Sequence, residues 1–420
     1  MVVPYAVLRH ERLPVAMKYL LNTIRSHFVL IGYAVCTAAL MPVSAGFAQH
    51  FEDGRLVFPE RRISAFVYHG ADEEVLRATL LKISIREGDG PGSWVREWRT
   101  IGEYYEGVGD RLAASGQGAG ARDAYLQANV YYALAWFPGN YTPEEQDAYA
   151  RQLRVYQKAG GYFDAPLEVV DVPYRDSHLV TYVHRPAGVE RPPLIIWTGG
   201  SDQYKANHHR PVSALNSAGL AVVTFDLPGF GESKAWPSEP NSDDAHIALL
   251  EHFHSTGEFS VDQVGVVGVS WGGNFAVRVA ARNDPRVKAA VAFCAPVHDA
   301  FSAPVDFYRQ ALDGPERMTL INLARHLQIE ATPEAIQSSL EKFSLLGSGV
   351  LGQGRTITTP LLVANGTRDG LAPVSDLMLT YESAVESDLW LLGRGDHCAV
   401  EYWPVAIPQL ADWLVDKLSR

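Results

Sequence analysis

Between residues 192 and 397 the chain repeats one pattern: a short, almost uncharged run that stops at Gly, Pro or Asp. The runs are "PPLIIWTGG", "LAVVTFDLPG", "VGVVGVSWGG", "VKAAVAFCAP", "PLLVANGTRDG" and "SDLWLLGRGDH". Helical stretches, such as Pro211 to Ala218 and Gly273 to Arg282, lie between several of them. A strand with one wet face alternates apolar and polar residues, whereas a continuously apolar strand is covered on both faces. Such strands separated by helices dictate a mostly parallel sheet between two helical layers, the α/β class. Just upstream, "LEVVDVPY" and "HLVTYVHRP" read as an antiparallel pair that opens the sheet.

Two helical regions depart from that rhythm. From Val75 to about Tyr162 apolar residues recur at three- and four-residue spacings, broken at Gly116, Gly118 and Gly120 and again at Pro138 and Gly139. "TPEEQDAYARQLRVYQKAGGYF" starts with a Thr N-cap, Pro at the first helical position and acids in the first turn. The region is rich in aromatics: Trp94, Trp98, Tyr104, Tyr105, Tyr125, Tyr131, Tyr132 and Trp136. They either pack the helices on one another or line a pocket for an apolar ligand. A second helical segment, 299–356, interrupts the sheet pattern and reads as an insertion over the strand ends, a lid or an added packing layer. The expected organisation is a helical cap region at 49–165 and an α/β core at 166–420 carrying the insertion.

The first 48 residues are of another kind. From Met17, Lys18 and Arg25 precede an uncharged stretch from Phe28 to Ala48 that ends in small residues. A basic start, an apolar core and a small-residue exit describe a secretory signal peptide, with residues 1–16 an upstream extension. That predicts cleavage after Ala45 or Ala48 and a periplasmic or secreted product. The competing readings are an uncleaved membrane anchor, since 21 uncharged residues can span a bilayer, and a cytoplasmic protein with a buried or disordered extension. The net charge of −12 argues against a nucleic-acid binder, which would normally show a basic face. Three cysteines, Cys36, Cys294 and Cys398, show no metal-like spacing and cannot build a disulfide framework, so no dependence on a disulfide is expected.

The chemistry concentrates around Ser270. "QVGVVGVS" is a strand and "WGGNFAVRVAAR" a helix, with the serine on the turn between them and Gly268 and Gly272 flanking it. A G-x-S-x-G turn of this kind lifts a hydroxyl above the sheet edge and aims the next backbone N–H, that of Trp271, at a substrate oxyanion. A serine needs a base, usually a histidine oriented by a carboxylate. In strand-end positions downstream lie Asp369, in "LLVANGTRDGLAP", and His397, in "LWLLGRGDHCAVEYW". Asp376 is the alternative acid. Gly200 or Ser201, in "IIWTGGSDQY", would supply a second oxyanion donor, and Gly199 and Asp226 would face substrate. His208, His209 and His298 also follow strands and read as structural, and Cys398 as packing beside His397.

With these residues in place, the chain resembles the α/β-hydrolase family of the fermentation–respiration switch proteins, the 2,6-dihydroxypseudooxynicotine hydrolases and the fungal yellowish-green polyketide-shortening hydrolases. The likeness runs from about Phe51 to the C-terminus and rests on "GARDAYLQANVYYALAWFP", "TGGSD", "DLPGFGES", "GVSWGG", and Asp369 with His397. It implies a helical cap formed before the core, no metal or organic cofactor, and often a homodimer. It implies hydrolysis of a carbonyl substrate with an apolar or aromatic body, at an ester or at a carbon–carbon bond beside a ketone. A short-peptide hydrolase and a non-catalytic binding protein on the same scaffold are the other readings; the latter predicts a broken triad.

Overall fold

The computed structural model describes residues 55–260, 262–314, 317–352 and 357–419, together with 7–8 and 50–52. Residues 17–48, where the leader is expected, lie outside the described residues. Among the described residues no helix is long and apolar enough to cross a membrane.

Five helices come first: α1 (Glu60–Tyr68), α2 (Glu73–Leu80), α3 (Trp94–Ala114), α4 (Gly118–Trp136) and α5 (Pro143–Gly160). Helix α4 is buried on most of its circumference, so its neighbours have to come close. Gly109 on α3 permits this, because a Cβ there would stand 2.5 Å from Tyr125 Cε1 on α4. Helix α5 begins as its sequence predicts, with a reciprocal cap: Thr142 Oγ1 accepts the Glu145 N–H and the Glu145 carboxylate accepts the Thr142 N–H. The aromatics divide sharply. Trp94, Trp98, Tyr131, Tyr132 and Trp136 are fully buried between helices, while Tyr104 is 63% exposed. Packing, not a pocket, is what those buried rings provide.

The core sheet has eight strands: β1 (Glu168–Tyr174), β2 (Ser177–His184), β3 (Leu194–Thr198), β4 (Ala221–Phe225), β5 (Val264–Val269), β6 (Val287–Phe293), β7 (Leu361–Gly366) and β8 (Ser387–Leu392). Their order is β1-β2-β4-β3-β5-β6-β7-β8, and Val7–Leu8 adds antiparallel beyond β8. Strands β1, β2 and β4 pair antiparallel, and every pairing from β4 to β8 is parallel. Side chains of one strand enter two separate cores. On β3, Leu194 and Ile196 join the core beneath the cap, and Ile195 and Trp197 join the core on the opposite face. This is why the strands carry no alternation in sequence.

Helices α6 (His209–Ser217), α7 (Asp244–Thr256), α8 (Trp271–Ala281), α12 (Val374–Glu382) and α13 (Trp403–Leu418) cover the sheet. Helices α9 (Val305–Asp313), α10 (Arg317–Leu327) and α11 (Pro333–Leu340) fall between β6 and β7. Helix α6 starts at His209, earlier than the sequence pattern suggests, and α8 starts at Trp271, directly after the serine. One expectation is overturned. Cys294, just past β6, and Cys398, just past His397, form a disulfide. A pairing across 104 residues has no local sequence signal; it arises because β6 and the loop after β8 meet at the same edge.

Candidate active site

Ser270 stands between β5 and α8 with φ 52° and ψ −115°. A non-glycine residue at positive φ persists only where its surroundings over-determine it. Here the Ser270 N–H donates to Phe293 O at 2.8 Å, and the Gly273 N–H returns to Ser270 O at 2.8 Å. The flanking glycines are steric necessities: a Cβ at Gly268 would lie 2.1 Å from Gly272 O, and one at Gly272 would lie 2.6 Å from Gly199 O. The sharp turn is thus compressed against the β3 loop as well as against itself.

Three residues expected from sequence converge. Ser270 Oγ is 2.8 Å from His397 Nε2, and His397 Nδ1 is 2.7 Å from Asp369 Oδ2. An ionised carboxylate only accepts, so Nδ1 carries the proton and Nε2 accepts the Ser270 hydroxyl. Asp369 is held in place by further donors, Leu371 N at 2.7 Å and Ala372 N at 3.1 Å on Oδ1 and Asn365 Nδ2 at 2.6 Å on Oδ2. Burial alone would raise the Asp369 pKa, but His397 and these hydrogen bonds keep it below the ordinary carboxylate value. The alternative acid is engaged elsewhere. Asp376 accepts the N–H groups of Val297, His298 and Asp299, fixing the loop after β6.

The β3 loop lies beside the serine. A Cβ on Gly200 would sit 3.2 Å from Ser270 Cβ, a tight contact that places this backbone close beside the serine. Gly199 O accepts the Gly272 N–H at 3.1 Å, locking this loop to the turn. Gly199 itself is backed by the His208 ring rather than by open space. Among the described residues, no protein acceptor takes the N–H of Gly200, Ser201 or Trp271. The Trp271 ring packs on Phe343 with centroids 4.7 Å apart and donates from Nε1 to Ser238 Oγ at 3.2 Å.

Asp226 stands apart from this group. It is fully buried and accepts from Lys205 Nζ at 2.8 Å, Lys205 N at 2.8 Å, Tyr149 Oη at 2.5 Å and Glu232 N at 3.0 Å. Against the upward push of burial, Lys205 holds its pKa down. The carboxylate joins the loop after β4 to α5 of the cap.

Sequence reasoning missed three contributors. Asn365, at the end of β7, bonds to Asp369, to Ala372 O, to the Gly366 N–H and to the Cys398 N–H. Its signal was a polar residue inside the otherwise apolar "LLVANG". His326, on α10, places Nε2 2.8 Å from Ser201 O and Nδ1 2.9 Å from Gly229 O and 2.5 Å from Tyr141 Oη. Burial lowers its pKa to about 4. The third is the disulfide. Cys294, His397 and Cys398 bring donor atoms within 4.8 Å of one another, but the disulfide engages both sulfurs, so the trio is no ready metal site while it stands.

A family model described as "Esterase FrsA-like" matches residues 71–419. The chain belongs to the FrsA-like esterase family. Curated relatives include the esterase FrsA of Photobacterium profundum, 24% identical over 334 residues, covering 78% of this chain and 77% of that protein. Esterase FrsA of Vibrio parahaemolyticus is 26% identical over 347 residues, with the same coverage of each. Among solved structures, the 2,6-dihydroxy-pseudo-oxynicotine hydrolase superposes with a TM-score of 0.71 at 23% identity, covering 84% of this chain and 95% of that one. AbyA5 superposes with a TM-score of 0.62 at 22% identity, covering 79% and 90%. Family membership makes the protein an α/β-hydrolase of the esterase kind, and the two structures share its fold.

Proposed function

We propose that the protein is a serine hydrolase that cleaves esters through an acyl-enzyme, acting on a carbonyl compound with an apolar or aromatic body. The observation that carries this reading is the continuous relay from Ser270 Oγ through His397 to Asp369, with hydrogen bonds of 2.8 and 2.7 Å. His397 Nε2 takes the hydroxyl proton as Ser270 attacks the carbonyl carbon. Asp369 orients the imidazole and stabilises the imidazolium. The tetrahedral oxyanion is received by the N–H of Trp271 together with that of Gly200 or Ser201. The leaving alkoxide takes the proton from His397, and water attacks the acyl-serine by the same route in reverse.

Trp271, Phe301 and Phe343 pack together beside the turn and make its surroundings apolar. A buried disulfide beside His397 supports the expectation of an exported protein working in an oxidising compartment. The intact relay tells against a merely binding role. The same residues would serve carbon–carbon hydrolysis, with the departing carbon protonated by His397.

The test reacts the purified protein with a fluorophosphonate, locates the adduct by peptide mass spectrometry, and compares turnover of aryl esters and aryl ketones. An adduct on Ser270 with faster ester turnover is expected. Ketone cleavage outrunning ester hydrolysis would replace the ester assignment, and the absence of an adduct from the folded protein would remove the serine mechanism.

A further inference from the structure

The Cys294–Cys398 disulfide spans 104 residues of sequence and joins Cα atoms 4.9 Å apart. What it joins is specific to the chemistry. Cys294 follows Phe293, whose carbonyl seats the Ser270 N–H at 2.8 Å. Cys398 follows His397, and its own N–H rests on Asn365 Oδ1 at 3.2 Å. The cross-link therefore ties the backbone behind the serine directly to the loop that carries the imidazole. Both cysteines are buried.

The backbone at both ends requires restraint. Cys294 has φ 47°, Cys398 φ 62° and Ala399 φ 43°, so two consecutive left-handed residues follow His397. Non-glycine residues hold such angles only when their surroundings enforce them. The Cys294 N–H donates to Ala364 O at 2.7 Å, the Ala399 N–H to Asp396 O at 2.9 Å, and Trp403 Nε1 to Cys398 O at 2.8 Å. The sulfur bridge adds a covalent link between the end of β6 and the histidine loop, beside the packing of Phe293 on Trp403 with ring centroids 5.7 Å apart.

We infer that the Cys294–Cys398 disulfide positions His397 against Ser270, and that its reduction turns the hydrolase down without unfolding it. The inference rests on the serine-hydrolase reading. A phosphine reductant donates two electrons to the S–S bond and becomes a phosphine oxide, with water supplying its oxygen and the two thiol protons. The sulfurs then separate to non-bonded contact, and the histidine loop moves off β6 with them. A misplacement of about 1 Å at a reacting group can cost about 10²-fold in rate.

The experiment uses the full chain purified without reductant. Non-reducing peptide mass spectrometry is expected to show the segments bearing Cys294 and Cys398 linked. Aryl-ester kinetics before and after tris(2-carboxyethyl)phosphine, with circular dichroism recorded on the same samples, are expected to show kcat falling by about 10²-fold with KM nearly constant and the fold retained. Reoxidation restores kcat. Cys294→Ala/Cys398→Ala is expected to be as slow as the reduced enzyme and indifferent to phosphine; if that variant does not fold, the reduced wild type still decides. Free thiols in the oxidised protein, or an unchanged kcat in folded, reduced protein, would overturn the inference. Ser270→Ala run alongside separates the two readings. If it is inactive while reduction has no effect, only the positioning role falls; if it remains active, both fall.

Discussion

Two buried polar networks stand at the carboxyl ends of the sheet, and they are built from the same kinds of group. Past β4, Asp226 binds Lys205, Tyr149 and the Glu232 N–H, and both the aspartate and the lysine side chains are 0% exposed. Past β7, Asp369 is likewise 0% exposed, but its partner His397 keeps 12% of its side-chain surface open and ends on the partly exposed Ser270. In the first network the two buried charges, Lys205 and Asp226, answer each other, and Glu232 adds a partly exposed carboxylate on the lysine. Burial alone would lower the Lys205 pKa, yet Asp226 and Glu232 hold it above its ordinary value. The second ends on Ser270, a residue only partly covered by the protein. Burial and hydrogen bonding make a polar cluster stable; an unfinished end makes it reactive.

Breaking the open network affects rate first. Ser270→Ala is expected to lower kcat on an aryl ester by about 10⁶-fold with the circular-dichroism spectrum and melting temperature retained, since loss of the nucleophile in a comparable relay costs about that much. Activity that survived would move the chemistry to another group.

Acid separates the two kinds of burial. Six histidines, four of them buried and His69 and His209 half-buried, titrate low because desolvation disfavours the imidazolium: His69, His209 and His326 at about 4, and His184, His208 and His246 at about 3. Between their unfolded value near 6.5 and these folded values the unfolded chain binds more protons, so stability falls as pH drops through that window. Each group contributes up to roughly 1.4 kcal/mol per pH unit. Asp369, whose folded pKa is depressed, loses its contribution only at lower pH, as its own folded value is passed. Melting temperatures measured from pH 8 to pH 4 are expected to decline steadily below 6.5; a flat profile down to pH 5 would count against the neutral buried histidines.

The closed network is tested by Lys205→Met. Removing one partner leaves the Asp226 charge buried and unanswered, which costs about 3–5 kcal/mol. Urea unfolding is expected to show that loss, while kcat per folded molecule stays the same. A smaller and purely steric effect is expected in the cap, where Gly109→Ala presses a methyl group into Tyr125. Overpacking of this kind costs about 1–3 kcal/mol, visible in urea unfolding and absent from kcat.

The sequence displayed the open network more clearly than the closed one, for a physical reason. Ser270, Asp369 and His397 each follow an apolar strand, and the strands' direction brings their ends together, so order along the chain was enough. Lys205 and Asp226 also follow strands, but their partner Tyr149 lies in the cap, on a helix whose docking angle no local pattern encodes. The same limit hid His326, which meets Ser201 across 125 residues, and the disulfide, which joins two segments that only the folded sheet edge brings together. The aromatic spacing of the cap marked residues for burial without saying against what. Strands β3 to β8 were legible because covering on both faces leaves an unbroken apolar run, whereas the two-residue strand Val7–Leu8 beyond β8 gave no such signal.

Helix α10 carries a consequence for how the insertion can move. His326 contacts Ser201, Gly229 and Tyr141, its carbonyl accepts the Ser238 N–H at 2.8 Å, and Asn322 Nδ2 donates to Pro138 O at 2.7 Å. Those contacts reach the cap, the β3 loop and the β4 loop at once. Swinging the helix upward as one piece would tear all of them together and would drag the loop beside Ser270 out of register. It acts as a lintel rather than a door, a fixed beam that ties the cap to the two loops.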